Sequence, residues 1–289
     1  MKLISGIKEI SNNYTHFVFD IWGVLHDGHA PYPNVVETLK FLHSQGKKIC
    51  MLSNAPRRAH KVQEVLTHLG ITSNLYDFIL TSGEATFLDL KKNQDEGYKN
   101  FGKKYYYVGP DKDLDLLHGL DYERVVDAKH ADFLINTGFD GEDSTIDEKL
   151  PQIIEAKKHD LPMICVNPDL IVVKQNGKEM ICAGALAHEY EKLNGKVFYY
   201  GKPFSAVYKM TVDSFGNPAK NKIIAIGDGM ETDIKGANGF GIDSILITGG
   251  ILAKQLGIKF HQDADEKKLS EICDHYRFFP QFVISNLKI

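Results

Sequence analysis

Short apolar runs alternate with amphipathic stretches along most of the chain. Phe17-Val18-Phe19 is a strand-type run that delivers a single carboxylate, Asp20, and is followed by Gly23 and an Asp27-Gly28 turn signal. Residues 34–45 then carry Val35, Leu39 and Leu42 at helical spacing, with Asn34 at the cap position and Gly46 as the stop. A second apolar run, 48–52, ends in Ser53-Asn54-Ala55-Pro56, and residues 58–69 form a second amphipathic helix closed by Gly70. Residues 77–80 read as a strand finishing on Thr81-Ser82-Gly83-Glu84 before another helix. This β-α-β-α order predicts a parallel sheet, whose ligands lie beyond the carboxyl ends of the strands.

From about Phe87 the texture changes. A charged, turn-rich link over 91–103 leads into a strand at 105–108. A strand at 132–136, a helix at 144–158, a strand at 163–166, a hairpin-like stretch at 170–182 and a helix at 185–193 follow. The first texture returns at 197–200, which runs into Gly201-Lys202-Pro203. Beyond it come a helix at 204–214, a strand at 222–226 ending in Gly227-Asp228-Gly229-Met230-Glu231-Thr232-Asp233, a helix at 233–240 and a strand at 244–247. A helix within 266–275 and an apolar segment at 282–284 complete the chain, and no fixed-period repeat is present. The expected architecture is a three-layer α/β core built from 1–84 and 197–289, interrupted by a smaller α/β domain at 85–196.

Composition narrows the function classes. The 289 residues are 43% hydrophobic and 25% charged, as in a globular protein, with a net charge of −4. Basic residues come as scattered doublets such as Lys47-Lys48 and Arg57-Arg58, which argues against a nucleic-acid groove or a polybasic membrane anchor. Cys50, Cys165, Cys182 and Cys273 form no CxxC pair, so neither a zinc knuckle nor a disulfide framework is expected, and the histidines lack metal-ligand spacing. With no apolar leader and no stretch of membrane-spanning length, a cytoplasmic location is the default expectation.

An Asp at a strand end is more often a turn former than a nucleophile. Four strand ends, however, carry suggestive groups: Asp20, Ser53-Asn54, Lys202, and Asp228 with Asp233. In a parallel sheet they converge at one edge. Carboxylates with a lysine and a hydroxyl are what magnesium-assisted phosphoryl transfer needs: hard oxygen ligands hold Mg²⁺, a cation offsets phosphate charge, and short polar groups grip phosphoryl oxygens. Asp20 is then placed to attack phosphorus and form an aspartyl-phosphate.

The order resembles the haloacid dehalogenase superfamily, with Asp20 in its first motif, Ser53 in its second, Lys202 in its third, and Gly227-Asp228 with Asp233 in its fourth. The inserted domain, with Ser82-Gly83-Glu84-Ala85-Thr86, Asn167-Pro168-Asp169, Ala183-Gly184-Ala185 and Gly201-Lys202-Pro203, resembles subgroup IIA, which includes p-nitrophenyl phosphatase, phosphoglycolate phosphatase and nucleotide phosphatases. The resemblance implies Asp20 as nucleophile and magnesium ligand, the backbone carbonyl of Trp22 as a further ligand, Asp228 as a ligand, and Asp233 behind it or bound through water. It implies Ser53 and Asn54 as phosphoryl-binding groups and Lys202 as the cation that stabilises phosphate and nucleophile. The insertion, as a cap, would select the leaving group, with Asn167 and Asp169 as candidate contacts. A small phosphorylated metabolite is the implied partner, and a homodimer through the cap fits the same family pattern.

One departure bears on the chemistry. Phosphatases of this superfamily place a second Asp two residues after the nucleophile, where it protonates the leaving oxygen and later helps water attack the phosphoenzyme. Here that position is Trp22, a donor without useful titration. Three readings follow. The chain is a slow or specialised phosphatase, acting on esters with good leaving groups or taking a proton from His26, Asp27 or the substrate. Alternatively it is a catalytically silent binder of phosphorylated ligands or a partner protein. The third is a dehalogenase, since those members carry an aromatic residue at this position; halide displacement needs no magnesium, and Asp228 with Asp233 argues against it. For His26 and Asp27 the plain expectation is an exposed histidine beside a hairpin turn.

Overall fold

The computed structural model describes residues 1–96, 101–173, 178–259 and 262–289. In chain order the strands and helices are β1 (Lys2–Leu3), β2 (His16–Phe19), α1 (Val35–Ser44), β3 (Lys48–Ser53), α2 (Ala59–His68), β4 (Phe78–Thr81), α3 (Ser82–Glu96), β5 (Lys104–Val108), β6 (Glu123–Val125) and β7 (Phe133–Asn136). They continue with α4 (Leu150–Lys158), β8 (Met163–Cys165), β9 (Ile171–Val173), β10 (Glu179–Ile181), α5 (Ala183–Lys192), β11 (Val197–Tyr199), α6 (Ser205–Ser214) and β12 (Ile223–Gly227). The last are α7 (Lys235–Phe240), β13 (Asp243–Ile247), α8 (Ala253–Leu256), α9 (Glu266–Tyr276) and β14 (Phe282–Ile284). No helix among the described residues is long and apolar enough to cross a membrane.

The chain forms two compact units. The first comprises Met1–Ser53, His60–Leu80 and Lys202–Ile289. Its sheet has the order β1-β14-β13-β12-β2-β3-β4. The central strands are unbroken apolar runs, all of Ile223–Gly227 and all of Phe17–Phe19 being buried, as strands covered on both faces must be. From β2 the chain steps outward through α1, β3, α2 and β4; from β12 it steps the opposite way through α7 and β13. Right-handed crossovers therefore lay helices on both faces, giving the three-layer α/β core, and the order reverses between β2 and β12. Such a switch point leaves a crevice beyond the carboxyl ends of the two strands.

The second unit, Asn54–Ala59 with Thr81–Gly201, is the inserted α/β domain. Its parallel sheet runs β11-β8-β7-β5-β6, beside a β9–β10 antiparallel ribbon, and its core gathers Leu134, Ile153, Met163, Leu186 and Tyr190. Two details differ from the pattern read along the chain. The helix α3 continues to Glu96, through part of the stretch expected to be a link, because its own Leu90 and Asn93 are buried; 97–100 lie outside the described residues. The strand Val197–Tyr199 pairs with Met163–Cys165 of this second sheet, where local pattern had grouped it with the first. The hairpin at 170–182 is present as β9–β10, with its turn outside the described residues. The helix expected from Asp233 is preceded by a π-helical turn, Met230–Ile234, and the segment at 144–158 is split by a 3₁₀ turn, Ile146–Glu148, before Pro151 opens α4.

Candidate active site

The site grows out of the switch point. Phe19 pairs with Ile226 across the β2–β12 seam, and the Asp20 N–H donates to the Ile226 carbonyl at 2.8 Å. The next residue of each strand exit is therefore an acid, Asp20 from β2 and Asp228 just past β12. The π-helical turn adds Asp233, and oxygens of all three carboxylates lie within 4.8 Å of one another. Lys202 ties Asp20 to Asp233: its Nζ is 2.6 Å from Asp20 Oδ1 and 2.8 Å from Asp233 Oδ1, and the residue is only 3% exposed. Ser53 ends β3, the strand on the other side of β2.

Each acid has its own seat. Asp233 Oδ1 accepts from Lys202, while Oδ2 accepts from the Gly229 N–H and the Thr232 hydroxyl, both at 3.2 Å. Asp228 Oδ2 accepts from the Ile251 N–H at 2.8 Å. Its carboxylate lies between two glycines: a Cβ on Gly23 or on Gly250 would stand 2.1 Å from Asp228 Oδ2, and Gly23 also holds a φ of +81°. Gly249-Gly250 reads in sequence as a plain strand-to-helix turn, and no local pattern marks Gly23; the hydrogen at each Cα is what admits the carboxylate. Gly250→Ala is expected to displace Asp228 and weaken divalent-metal binding more than tenfold in calorimetric titration, with the fold retained by circular dichroism. Unchanged metal affinity would show that Asp228 is not a ligand.

Burial is the chief force raising Asp20 well above the usual carboxylate range; Lys202 pulls it back, and Asp233 and Asp228 push it further up. Burial and then Asp233 push Asp228 up to about 7, against the Ile251 N–H. Burial alone would lower Lys202, but Asp20 and Asp233 outweigh it and hold the ammonium charged. Three carboxylates and one ammonium leave a formal charge of −2 in a buried cluster. A hard divalent cation with oxygen ligands matches both that charge and the donor set.

Around Trp22 the chain turns sharply. The indole is 38% exposed, packs edge-on to His26 with centroids 5.6 Å apart, and lies against Gly28, where a Cβ would come within 2.8 Å of the ring. His26 is buried at 5% exposure rather than exposed as the turn signal suggested, because it packs under the indole and its Nδ1 accepts from the Gly28 N–H at 2.9 Å. Burial lowers its pKa, only partly opposed by Asp27. Burial would raise Asp27, but the N–H groups of Ala30 and His29 outweigh it and hold the carboxyl below its ordinary range.

Asn54, Asn167 and Asp169 belong to the second unit and form a cluster of their own. Asn54 Nδ2 donates to Asp169 Oδ1 at 2.7 Å, and Asn167 Oδ1 accepts from the Asp169 N–H at 2.9 Å. The segment that follows Asn54 is clasped by the start of α3. Glu84 accepts from Arg58 Nε at 2.8 Å, Arg58 Nη2 at 3.2 Å and the Ala59 N–H at 2.9 Å, the Gly83 N–H donates to the Ala55 carbonyl at 3.1 Å, and the Arg58 guanidinium lies 3.3 Å over the Phe87 ring. Sequence reading missed this clasp; its only signal is the Arg58 and Glu84 charge pair, 26 residues apart.

Comparison with known proteins gives the following likenesses. Residues 17–123 match the family model described as haloacid dehalogenase-like hydrolase, and residues 199–286 match a second model for hydrolases of the same type. Phosphoglycolate phosphatase 2 of Arabidopsis thaliana is 24% identical over 271 residues, covering 86% of this chain and 88% of its own. Sugar-phosphatase AraL of Bacillus subtilis is 26% identical, covering 81% of this chain and 82% of its own. The crystal structure of a haloacid dehalogenase-like hydrolase from Brucella suis superposes with a TM-score of 0.82 at 28% identity, over 99% of this chain and 100% of that one.

Proposed function

Because the chain belongs to the haloacid dehalogenase-like hydrolases, and is a phosphoric monoester hydrolase among them, we propose that it hydrolyses small phosphate monoesters with Mg²⁺ through an aspartyl-phosphate on Asp20. The observation that carries this reading is the Asp20–Lys202–Asp233 ion-pair chain beside Asp228 at the β2–β12 switch point. Asp20, Asp228 and the Trp22 carbonyl are the groups to hold the ion, with Asp233 behind them holding Lys202. When bound, Mg²⁺ supplies charge neutralisation for the carboxylates and the phosphoryl oxygens.

Asp20 attacks phosphorus and the leaving-group oxygen departs with the bonding pair; water then attacks the acyl phosphate, releasing phosphate and restoring the carboxylate. Lys202 lowers the charge that an anionic ester meets as it approaches an anionic nucleophile. Ser53 and Asn54 orient the phosphoryl group, and the inserted domain selects the leaving group. Trp22 supplies no proton, so the reaction favours leaving groups that depart as anions. Phosphate release from an aryl phosphate with Mg²⁺, lost on Asp20→Asn, is the test; turnover surviving that substitution would remove Asp20 from the mechanism.

A pH dependence follows from the raised carboxyls. Burial and Asp233 push Asp228 up to about 7 from an ordinary value of about 4, so the fold takes up a proton between those limits. That contribution to stability is present below the lower value and is lost as pH rises through 7. Metal binding requires the deprotonated form. Saturating Mg²⁺ is therefore expected to raise the melting temperature more at pH 8 than at pH 6. An equal shift at both values would mean that these carboxyls do not hold the ion.

A further inference from the structure

The loop after β8 is fixed from three sides. The Asp169 N–H donates to Asn167 Oδ1, the Asp169 carbonyl accepts from the Gly184 N–H at 3.1 Å, and a Cβ on Gly184 would stand 2.2 Å from the Pro168 carbonyl oxygen. From this fixed loop Asp169 Oδ1 meets Asn54 Nδ2 at 2.7 Å. A carboxylate only accepts, so the Asn54 atom facing it is the nitrogen, and the carboxamide is locked in one of its two flip states. Its oxygen then faces the Ser82 hydroxyl, fully buried at the start of α3, at 3.4 Å. The third wall is Gly201, where a Cβ would come within 2.6 Å of Asn54 Oδ1 and 2.4 Å of Ser82 Oγ. Asn54 is itself 6% exposed.

We propose that Asp169 is a positioning residue for phosphate: it acts through Asn54, fixing the carboxamide that grips the phosphoryl group, and contributes to every substrate alike rather than reading the leaving group. The inference rests on the phosphoryl-binding role given to Asn54 above. A carboxylate accepting from a neutral amide is the stronger kind of hydrogen bond, so its loss frees the side chain to turn. A residue that reads the leaving group would instead change the preference between substrates.

The test is a double-mutant cycle on the full chain, with inorganic phosphate titrated in the presence of Mg²⁺ by calorimetry, and KM and kcat taken on one aryl and one alkyl ester. Asp169→Ala is expected to weaken phosphate binding roughly 10- to 100-fold and to raise KM by the same factor on both esters. In an Asn54→Ala background the same change is expected to cost less than about threefold. Asp169→Asn, which still offers an oxygen to Asn54 Nδ2, is expected to recover phosphate affinity to within about fivefold of the parent protein. Asp169→Ser gives the same comparison should the alanine variant not fold.

Three results would overturn the proposal: an undiminished effect of Asp169→Ala in the Asn54→Ala background, a lowered melting temperature with unchanged phosphate affinity, or no phosphate binding by the parent protein. Turnover that survives Asp20→Asn would defeat the phosphoenzyme mechanism and leave this binding cycle standing, so the two failures are distinguishable.

Discussion

Trp22→Asp is expected to raise kcat/KM for alkyl and sugar phosphates by about 10²- to 10⁴-fold, the usual worth of a positioned general acid, while kcat/KM for an aryl phosphate changes by less than about tenfold. An alkoxide is a poor leaving group and needs a proton as the P–O bond breaks; a nitrophenolate does not. The neighbours of the indole do not make good the missing acid. Burial disfavours the charged form of His26, whose Nδ1 already accepts from Gly28, and the N–H groups of Ala30 and His29 favour the anion of Asp27. Because Trp22 is 38% exposed, its removal opens surface rather than core, and the turn around it is held by main-chain bonds, Gly23 N–H to the His26 carbonyl and Leu25 N–H to the Ile21 carbonyl. The measurement is initial-rate phosphate release with Mg²⁺ over a series of leaving groups. A steep dependence of log kcat/KM on leaving-group pKa in the parent chain is expected to flatten in the variant. The same slope in both would mean that proton supply is not what Trp22 took away.

The parallel core was legible because its central strands are buried on both faces and so must be continuous apolar runs, as Phe17–Phe19 and Ile223–Ile226 are. The acids were legible because topology alone puts strand-end residues at one edge. What escaped was set by contacts distant in sequence. Residues 91–96 are polar throughout, and the helix there is held by burial of Leu90 and Asn93, which no periodicity announces. Val197–Tyr199 is partly buried along its whole length and would suit an edge of either sheet; its register against Met163–Cys165 decides the matter. His26 looked exposed because turn chemistry speaks only for the backbone, whereas its burial comes from the indole above it. Gly23 and Gly250 matter for an atom they lack, and Asn54 meets Asp169 across 115 residues of chain.

A burst of aryl alcohol, close to one equivalent per chain, is expected when the parent protein is mixed with excess aryl phosphate and Mg²⁺, followed by slow steady turnover. The first step needs only the Asp20 carboxylate, the Lys202 charge and a leaving group that departs unaided. The second needs water to lose a proton as it attacks the acyl phosphate, and the residue that would take that proton is an indole. On the proposed mechanism formation is therefore expected to outrun breakdown, and phosphorylated Asp20 to accumulate. Asp20→Asn is expected to abolish the burst and to lower steady turnover by about 10⁴-fold or more, the scale of losing a nucleophile. Trp22→Asp is expected to remove the burst in the opposite way, by speeding breakdown until no intermediate builds up. Rapid-quench measurement of alcohol release, with hydroxylamine trapping of the acyl phosphate, separates these cases. A burst in Asp20→Asn would place the phosphoryl group on another residue, and linear release by the parent chain would mean that water is activated by a group other than the one at position 22.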